Sequence, residues 1–298
     1  MTFLRSARRR SRNGIGPWLA VPAVLLFAVF VLYPLARSIQ LSFFGSDLLG
    51  NPTRFVGFAN YLEALVDTDL LRAIVVSIVI ALLSMVLATG LALVAVLLLR
   101  GRMPGGAVFN TLLSLPFAYS AATASAVFAG LFAPTTGILN TVLGAVGIEG
   151  PSWTGDPVAS VWAIAITTAW YEFGFAFLVL TAAIRDLPEE VVEAAMLDRA
   201  NGWTLSWRIL VPMMKPSILF LVIAQTISGL QTFTQIHVIT RGGPSGATES
   251  VVYRLYEFAF GNGNPDFGRA SVLAVVLILL IALVTALQFR FFRQDRTS

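Results

Sequence analysis

The sequence contains no cysteine and only one histidine, His237. It therefore has no disulfide, no thiolate metal site, no thiol nucleophile and no histidine cluster that could hold a metal ion. Lysine also occurs once, at Lys215, and the next residue is Pro216. Because a P-loop requires Lys followed by Ser or Thr, the chain carries no Walker-type ATPase site. Most classes of enzyme are thereby excluded, and we predict no catalytic residue, no metal site and no cofactor bound by this chain.

Charged residues are scarce as well. They make up 12% of the 298 residues, whereas 57% are hydrophobic, and the mean hydropathy is +0.80. Soluble globular proteins have about 25% charged and roughly 45–50% apolar residues. The composition therefore predicts a polytopic membrane protein, and nothing in it indicates a nucleic-acid partner.

Six apolar stretches are each long enough for a helix to cross the hydrocarbon core of a bilayer. We therefore predict an all-α fold in which one transmembrane domain, residues 1–298, contains six spanning helices. The first stretch is too long and too bulky for a cleaved signal peptide. The six stretches lie between Arg12 and Arg37 and at residues 73–99, 108–133, 158–184, 217–240 and 270–289.

The arginines predict the orientation of these spans, because basic residues are retained on the cytoplasmic side. If the N-terminus is inside, 14 of the 20 basic residues fall in inner segments. We therefore predict that both termini are cytoplasmic and that residues 1–16 form a basic cytoplasmic tail. The spans of this chain are then surrounded by the lipid bilayer.

The longest inner segment, residues 186–216, is patterned for two short helices. Asp186 stands three residues before Glu189 with Pro188 between them, which is a helix-start signature. The first helix is expected to end near Asn201 and Gly202. A second helix at 203–210 is then expected to be stopped by Pro212 and Pro216. Such a segment is either a solvated amphipathic connector or a docking element for a cytoplasmic partner.

Residues 193–200 read E-A-A-M-L-D-R-A, and Ile209, Val211 and Pro212 follow. This pattern resembles the EAA loop of permease subunits of bacterial binding-protein-dependent ABC importers. The outer motifs at 57–61 and 240–244 are similar to those of the carbohydrate-uptake branch, which includes maltose and glycerol-3-phosphate permeases. The family usually has Gly where this chain has Arg199, so the turn is expected to move toward Asn201 and Gly202.

The resemblance implies the architecture of a type I ABC importer permease in the bacterial inner membrane. Its implied partners are a second, non-identical permease, two cytoplasmic ATPase subunits that hold ATP and Mg, and an extracytoplasmic solute-binding protein. The implied solute is a sugar, a polyol or a glycerol-phosphate-type molecule. The implied ATPase-coupling residues are Glu189, Glu190, Glu193, Ala194, Ala195, Asp198, Arg199 and Gly202.

Candidate pathway residues lie on the fourth and fifth predicted spans. Glu172 is a carboxylate inside a predicted span. Because placing an ionisable side chain in the bilayer costs free energy, such a residue is a functional candidate by default. A polar stripe on the fifth span has the spacing of one helix face. Either set could line a solute pathway or form structural hydrogen bonds between helices. The full set is Trp170, Tyr171, Glu172, Gln225, Ser228, Thr232 and Gln235.

Two functions therefore remain open from the sequence. The first is half of the translocation pathway of an ATP-driven importer. The alternative is a secondary transporter or channel that acts alone on a small polar solute. A secondary carrier of this kind commonly shows inverted repeats, and none is visible in this sequence.

Overall fold

The computed structural model describes residues 16–101, 105–134, 136–198, 200, 202–261 and 263–294. The predicted basic tail therefore lies outside the described residues, except for Gly16. The first helix, α1 (16–41), runs through Gly16–Phe27, a π-helical turn at Ala28–Leu32 and Tyr33–Leu41. Pro22 and Pro34 are accommodated within it, as expected for a membrane helix.

Two long helices form the centre of the molecule. They are α3 (Thr68–Leu99) and α7 (Pro157–Arg185), which have 32 and 29 residues. With Ala20–Leu41 and Phe267–Phe292, these are the four described helices that are individually long and apolar enough to cross a membrane. At 1.5 Å per residue, α3 is about 48 Å long and exceeds a hydrocarbon core of about 30 Å.

The third and fifth predicted spans are bent instead of straight. The third consists of α4 (Gly106–Ala118) and α5 (Ala121–Leu131), which meet at 100°. The fifth consists of α9 (Gly202–Met213) and α10 (Lys215–Leu230), which meet at 68°. The described chain thus has four spanning helices, or up to six if each bent pair is one span.

Shorter elements connect these helices. Between α1 and α3 lie two antiparallel strands and a helix: β1 (Phe44–Ser46), β2 (Pro52–Phe55) and α2 (Ala59–Val66). The remaining helices are α6 (Ile138–Ala145), α8 (Glu189–Leu197), α11 (Thr234–Ile239), α12 (Val251–Tyr256) and α13 (Phe267–Gln294), with a π-helical turn at Glu257–Gly261.

The strand pair corrects the expectation of a purely helical chain. Its turn is held by Asp47, whose Oδ1 accepts hydrogen bonds from the backbone N–H groups of Leu49 and Asn51 at 2.9 and 2.8 Å. Such a turn closes by local polar contacts. Apolar periodicity therefore gave no signal for it.

The inner segment differs in detail from its prediction. Asp186 caps the C-terminus of α7, where its N–H donates to the Ala182 carbonyl, instead of starting α8. The second helix passes Pro212 and ends at Met213, next to the bend that precedes Pro216. Proline is tolerated there because it begins the α-helical segment Val211–Met213 after a π-helical turn.

The core forms where α3 packs against α7 and α10. Small residues on α3, among them Ala81 and Ala92, allow the helices to approach closely. A β-carbon built on Gly229 of α10 would lie 2.6 Å from the Cα of Ala81. Close backbone approach of this kind stabilises helix pairs in membranes by van der Waals packing.

Replacing Gly229 with alanine should therefore separate α10 from α3 and reduce the yield of folded protein. Overpacking typically costs about 1–3 kcal/mol. The matched control is Gly90→Ala on α3, where nothing lies within 4 Å of an added β-carbon. Yield after detergent extraction and thermal unfolding should fall only for Gly229→Ala, and equal values for both variants would contradict this packing.

Candidate functional site

A cleft opens between α4, α7 and α10 at mid-height of the helices. It has a volume of about 270 Å³. Its position follows from the bend after α4, which carries Phe117 to the side of α7. A β-carbon on Gly174 would lie 2.5 Å from the backbone nitrogen of Phe117, so glycine is required at this crossing. The cleft is lined by Phe117, Tyr171, Glu172, Phe175, Ala224, Gln225 and Ser228.

Among the residues that the structure describes, Glu172 is the only charged one that lines this cleft. Glu172 is 5% exposed. Among the described residues, no group meets full hydrogen-bond geometry with its carboxyl oxygens, but the Ser228 side chain lies near enough to interact with the carboxyl group. A buried polar group without a partner is costly, whereas most such groups are paired. Among the described residues, the Glu172 carboxyl therefore has the Ser228 hydroxyl as a neighbour and forms no ion pair.

Gln225 is fixed at the wall of the cleft. The Thr89 hydroxyl donates to its Oε1 at 2.6 Å, and its Nε2 donates to the Glu172 carbonyl at 3.4 Å. These contacts tie α3, α7 and α10 together through one buried amide. Aromatic rings complete the surface, with Phe117 and Phe175 stacked at a centroid distance of 5.7 Å.

Three predicted pathway residues lie elsewhere. The Trp170 ring packs against Tyr119 and Phe128, at centroid distances of 5.9 and 5.5 Å. Thr232 and Gln235 are buried beyond the end of α10 at Leu230. The prediction of one continuous polar stripe is therefore wrong, because the helix breaks at residues 231–233 before α11 begins.

Sequence reasoning missed Phe117 and Phe175. Both occur in apolar runs that look like ordinary membrane-facing helix. Pro116 was the available signal, because a proline within a span can mark a break. The break at Tyr119 and Ser120 is what turns Phe117 toward α7.

The acidic residues of the inner segment border a second, larger cleft. This cleft has a volume of about 970 Å³ and lies between α8, the end of α3 and the start of α4. Glu189 and Glu193 line it together with Arg100 and Arg185. Opposite charges therefore face each other around the mouth of this cleft.

Helix α8 presents one face outward and packs the other on the body of the protein. Ala195 is 7% exposed and packs with Leu205 and Leu210. The predicted coupling residues Glu189, Glu190, Glu193, Ala194 and Asp198 are exposed, whereas Arg199 lies outside the described residues. An acidic outer face on a short helix can bind a basic partner surface.

Gly202 does not provide the expected left-handed turn. It is absent from the glycines with positive φ and begins helix α9. A β-carbon there would meet only the Arg100 Nη2 atom, at 3.6 Å. Gly202 therefore does not require positive φ, whereas Asn201, the other residue of the expected turn, lies outside the described residues.

An ion pair lies at the end of α3 that is far from α8. The Arg254 side chain is 14% exposed, and its Nη2 lies 2.8 Å from Asp67 Oδ2. Burial alone would raise the pKa of the Asp67 carboxyl, but Arg254 and the backbone N–H groups of Leu70 and Asp69 lower it below its ordinary value. These contacts fix the start of α3 to α12.

Comparisons with known proteins agree with this architecture. The chain is 32% identical over 282 residues to the sn-glycerol-3-phosphate transport system permease protein UgpA of Brucella abortus, covering 94% of this chain and 95% of that protein. It is 29% identical over 283 residues to the alpha-glucoside transport system permease protein AglF of Rhizobium meliloti, covering 93% and 82%.

The fold also matches a solved structure. A chain in the crystal structure of a bacterial alginate ABC transporter, in complex with an alginate pentasaccharide-bound periplasmic protein, superposes with a TM-score of 0.80. The match covers 94% of each chain at 18% identity. Residues 5–294 match the family described as binding-protein-dependent transport system inner membrane component. The chain therefore belongs to this family of inner membrane permease components.

Proposed function

We propose that this chain forms half of the translocation pathway of an ATP-driven importer. The second half is a non-identical permease, two cytoplasmic ATPase subunits bind and hydrolyse ATP with Mg, and an extracytoplasmic binding protein delivers the solute. Membership of a binding-protein-dependent family decides against a transporter or channel that acts alone. This chain has no nucleotide site in the proposal.

The observation that carries the proposal is that the single helix α7 lines both clefts. Glu172 lines the mid-height cleft, and α7 ends at Arg185, 13 residues later, next to α8. At 1.5 Å per residue this separation is about 20 Å. A rigid helix transmits a displacement of α8 to the mid-height cleft, whereas a flexible loop would absorb it.

The proposal includes an orientation. With each bent pair counted as one span, the proposed six spans leave both termini on the same side of the membrane. The distribution of arginines supports a cytoplasmic position for both termini and for residues 186–216. The exposed acidic face of α8 then points toward the ATPase subunits. Asp67 and Arg254 lie on the extracytoplasmic side, where the binding protein docks.

The residues that line the mid-height cleft support a sugar or a polyol as the solute. Hydroxyl groups of a sugar or polyol can donate to Glu172 and exchange hydrogen bonds with Gln225 and Ser228. The rings of Phe117 and Tyr171 offer apolar faces to the C–H surface of a sugar. Relatives are named for glycerol-3-phosphate, sulfoquinovosyl glycerol and alpha-glucosides. A glycerol-phosphate-type solute would have to find its basic groups on the second permease.

The solute can be identified on the binding protein that supplies this permease. We expect a sugar, a polyol or a glycerol phosphate to raise the melting temperature of that binding protein, since a ligand stabilises the state that binds it. Thermal-shift measurements with panels of sugars, polyols, phosphate esters, amino acids and metal ions would show which class binds. Stabilisation by amino acids or metal ions alone would contradict the proposed solute class.

A further inference from the structure

A third cleft lies on the outside of the helix bundle, at the inner end of α3. It has a volume of about 400 Å³. Its walls are the last turns of α3 and the first turns of α9. We call it the Arg100 cleft, and it is lined by Val94, Leu97, Leu98, Arg100, Gly202, Trp203, Ser206 and Trp207.

The apolar wall of this cleft continues the exposed side of α3. Residues such as Val86, Val94 and Leu98 are exposed on the side of α3 opposite its contacts with α7 and α10, and Leu98 is 72% exposed. An apolar row of this kind on a spanning helix suits contact with lipid acyl chains. The Arg100 cleft therefore lies where the lipid-facing surface meets the inner headgroup layer.

Two tryptophans form the other wall. Trp203 is 73% exposed, and its ring lies 5.5 Å from that of Trp207. An exposed tryptophan pair is unusual on a water-facing surface but typical of the membrane interface, where the indole N–H meets headgroups and the ring meets acyl chains. The pair thus sits at the depth expected for lipid headgroups.

Arg100 supplies a cation that is already oriented. Its Nη1 donates to the Ser206 hydroxyl at 3.0 Å and its Nη2 to the Gly202 carbonyl at 3.4 Å. None of the ion pairs formed by the described residues includes Arg100. A guanidinium has five N–H donors in a rigid fork that suits phosphate oxygens. Donors therefore remain for an anionic ligand.

We propose that the Arg100 cleft binds an anionic phospholipid. The lipid phosphate pairs with the Arg100 guanidinium, one acyl chain lies along Val94 and Leu98, and the two indoles pack against the glycerol region. The bound lipid would hold α9 against the membrane surface next to α8. This proposal goes beyond the transport function and does not depend on the identity of the solute.

Quenching of tryptophan fluorescence by brominated lipids tests this assignment. The full-length chain, purified with the subunits that accompany it, is titrated in detergent with phosphatidylglycerol carrying brominated acyl chains. Phosphatidylcholine with the same chains is the comparison. We expect stronger quenching by phosphatidylglycerol, and we expect the difference to disappear in the double variant Trp203→Phe/Trp207→Phe.

Charge variants separate the site from general attraction of acidic lipids. Arg100→Gln should weaken phosphatidylglycerol binding roughly fivefold, Arg100→Lys should restore most of it, and excess inorganic phosphate should not displace the lipid. Arg208→Gln is the matched control, because Arg208 is exposed on α9, the helix that carries Trp203 and Trp207, but does not line the cleft. Equal quenching by both lipids, or equal losses for Arg100→Gln and Arg208→Gln, would overturn the proposal.

Discussion

Replacing Glu193 with alanine is expected to lower solute uptake and solute-stimulated ATP hydrolysis together, by roughly tenfold or more. Glu193 is exposed on α8 and borders the second, larger cleft, so the substitution removes a charge from the proposed docking surface. Hydrogen bonds to charged groups contribute about 1.5–3 kcal/mol, which corresponds to this range. The mid-height cleft is left intact, so binding of the loaded binding protein should persist.

The control for this prediction is Glu149→Ala. Glu149 is also an exposed carboxylate, but it lies in the loop between α6 and α7 at the proposed outer side. Its removal should leave uptake and ATP hydrolysis within about twofold of the wild-type values, as surface substitutions away from sites are usually small in effect. If Glu193→Ala transports at the rate of Glu149→Ala, α8 is not the docking element.

Substituting Glu172 should abolish or redirect uptake without loss of folded protein. The sequence allowed a structural role, in which Glu172 hydrogen-bonds to neighbouring helices. Among the described residues, the carboxyl forms no ion pair and interacts only with the Ser228 side chain beside it in the cleft. Removing an unpaired buried carboxyl should be neutral or stabilising. We expect normal or higher yield for Glu172→Gln and Glu172→Leu.

Uptake should distinguish these two variants. Glu172→Gln keeps the size and one acceptor, so transport should continue with a changed rate or solute preference, whereas Glu172→Leu should lower it by roughly tenfold or more. Thr167→Val is the control, since Thr167 is buried on the same helix and bonds only the Ala163 carbonyl. Normal uptake with both Glu172 variants would eliminate the pathway role.

The sequence was sufficient for the straight spans and insufficient for the bent ones. The apolar runs at 73–99 and 158–184 match α3 and α7 closely, because uniform hydrophobicity over 20 or more residues leaves few alternatives. The bends depend on backbone hydrogen bonds instead. After α4, for example, Ser120 starts a new helix by accepting from the Thr123 N–H at 3.1 Å. The hydropathy of the sequence does not predict such a cap.

The candidate sites were also predictable only in part. Glu172 and Glu193 could be selected from the sequence, because an intramembrane carboxylate and an EAA-like motif are strong signals on their own. The partners of these residues could not. That Phe117 shares a cleft with Glu172, and that Arg100 faces both the acidic helix α8 and the start of α9, depends on packing between segments far apart in the chain.

The central claim is that this chain moves solute only as part of an ATP-driven complex. Its most direct test is uptake of radiolabelled solute into vesicles that contain the permease pair, with the loaded binding protein outside and ATP inside. We expect uptake to require both the ATPase subunits and ATP, and to continue when the proton and sodium gradients are collapsed. Uptake at the full rate without the ATPase subunits, driven by an ion gradient, would contradict the account.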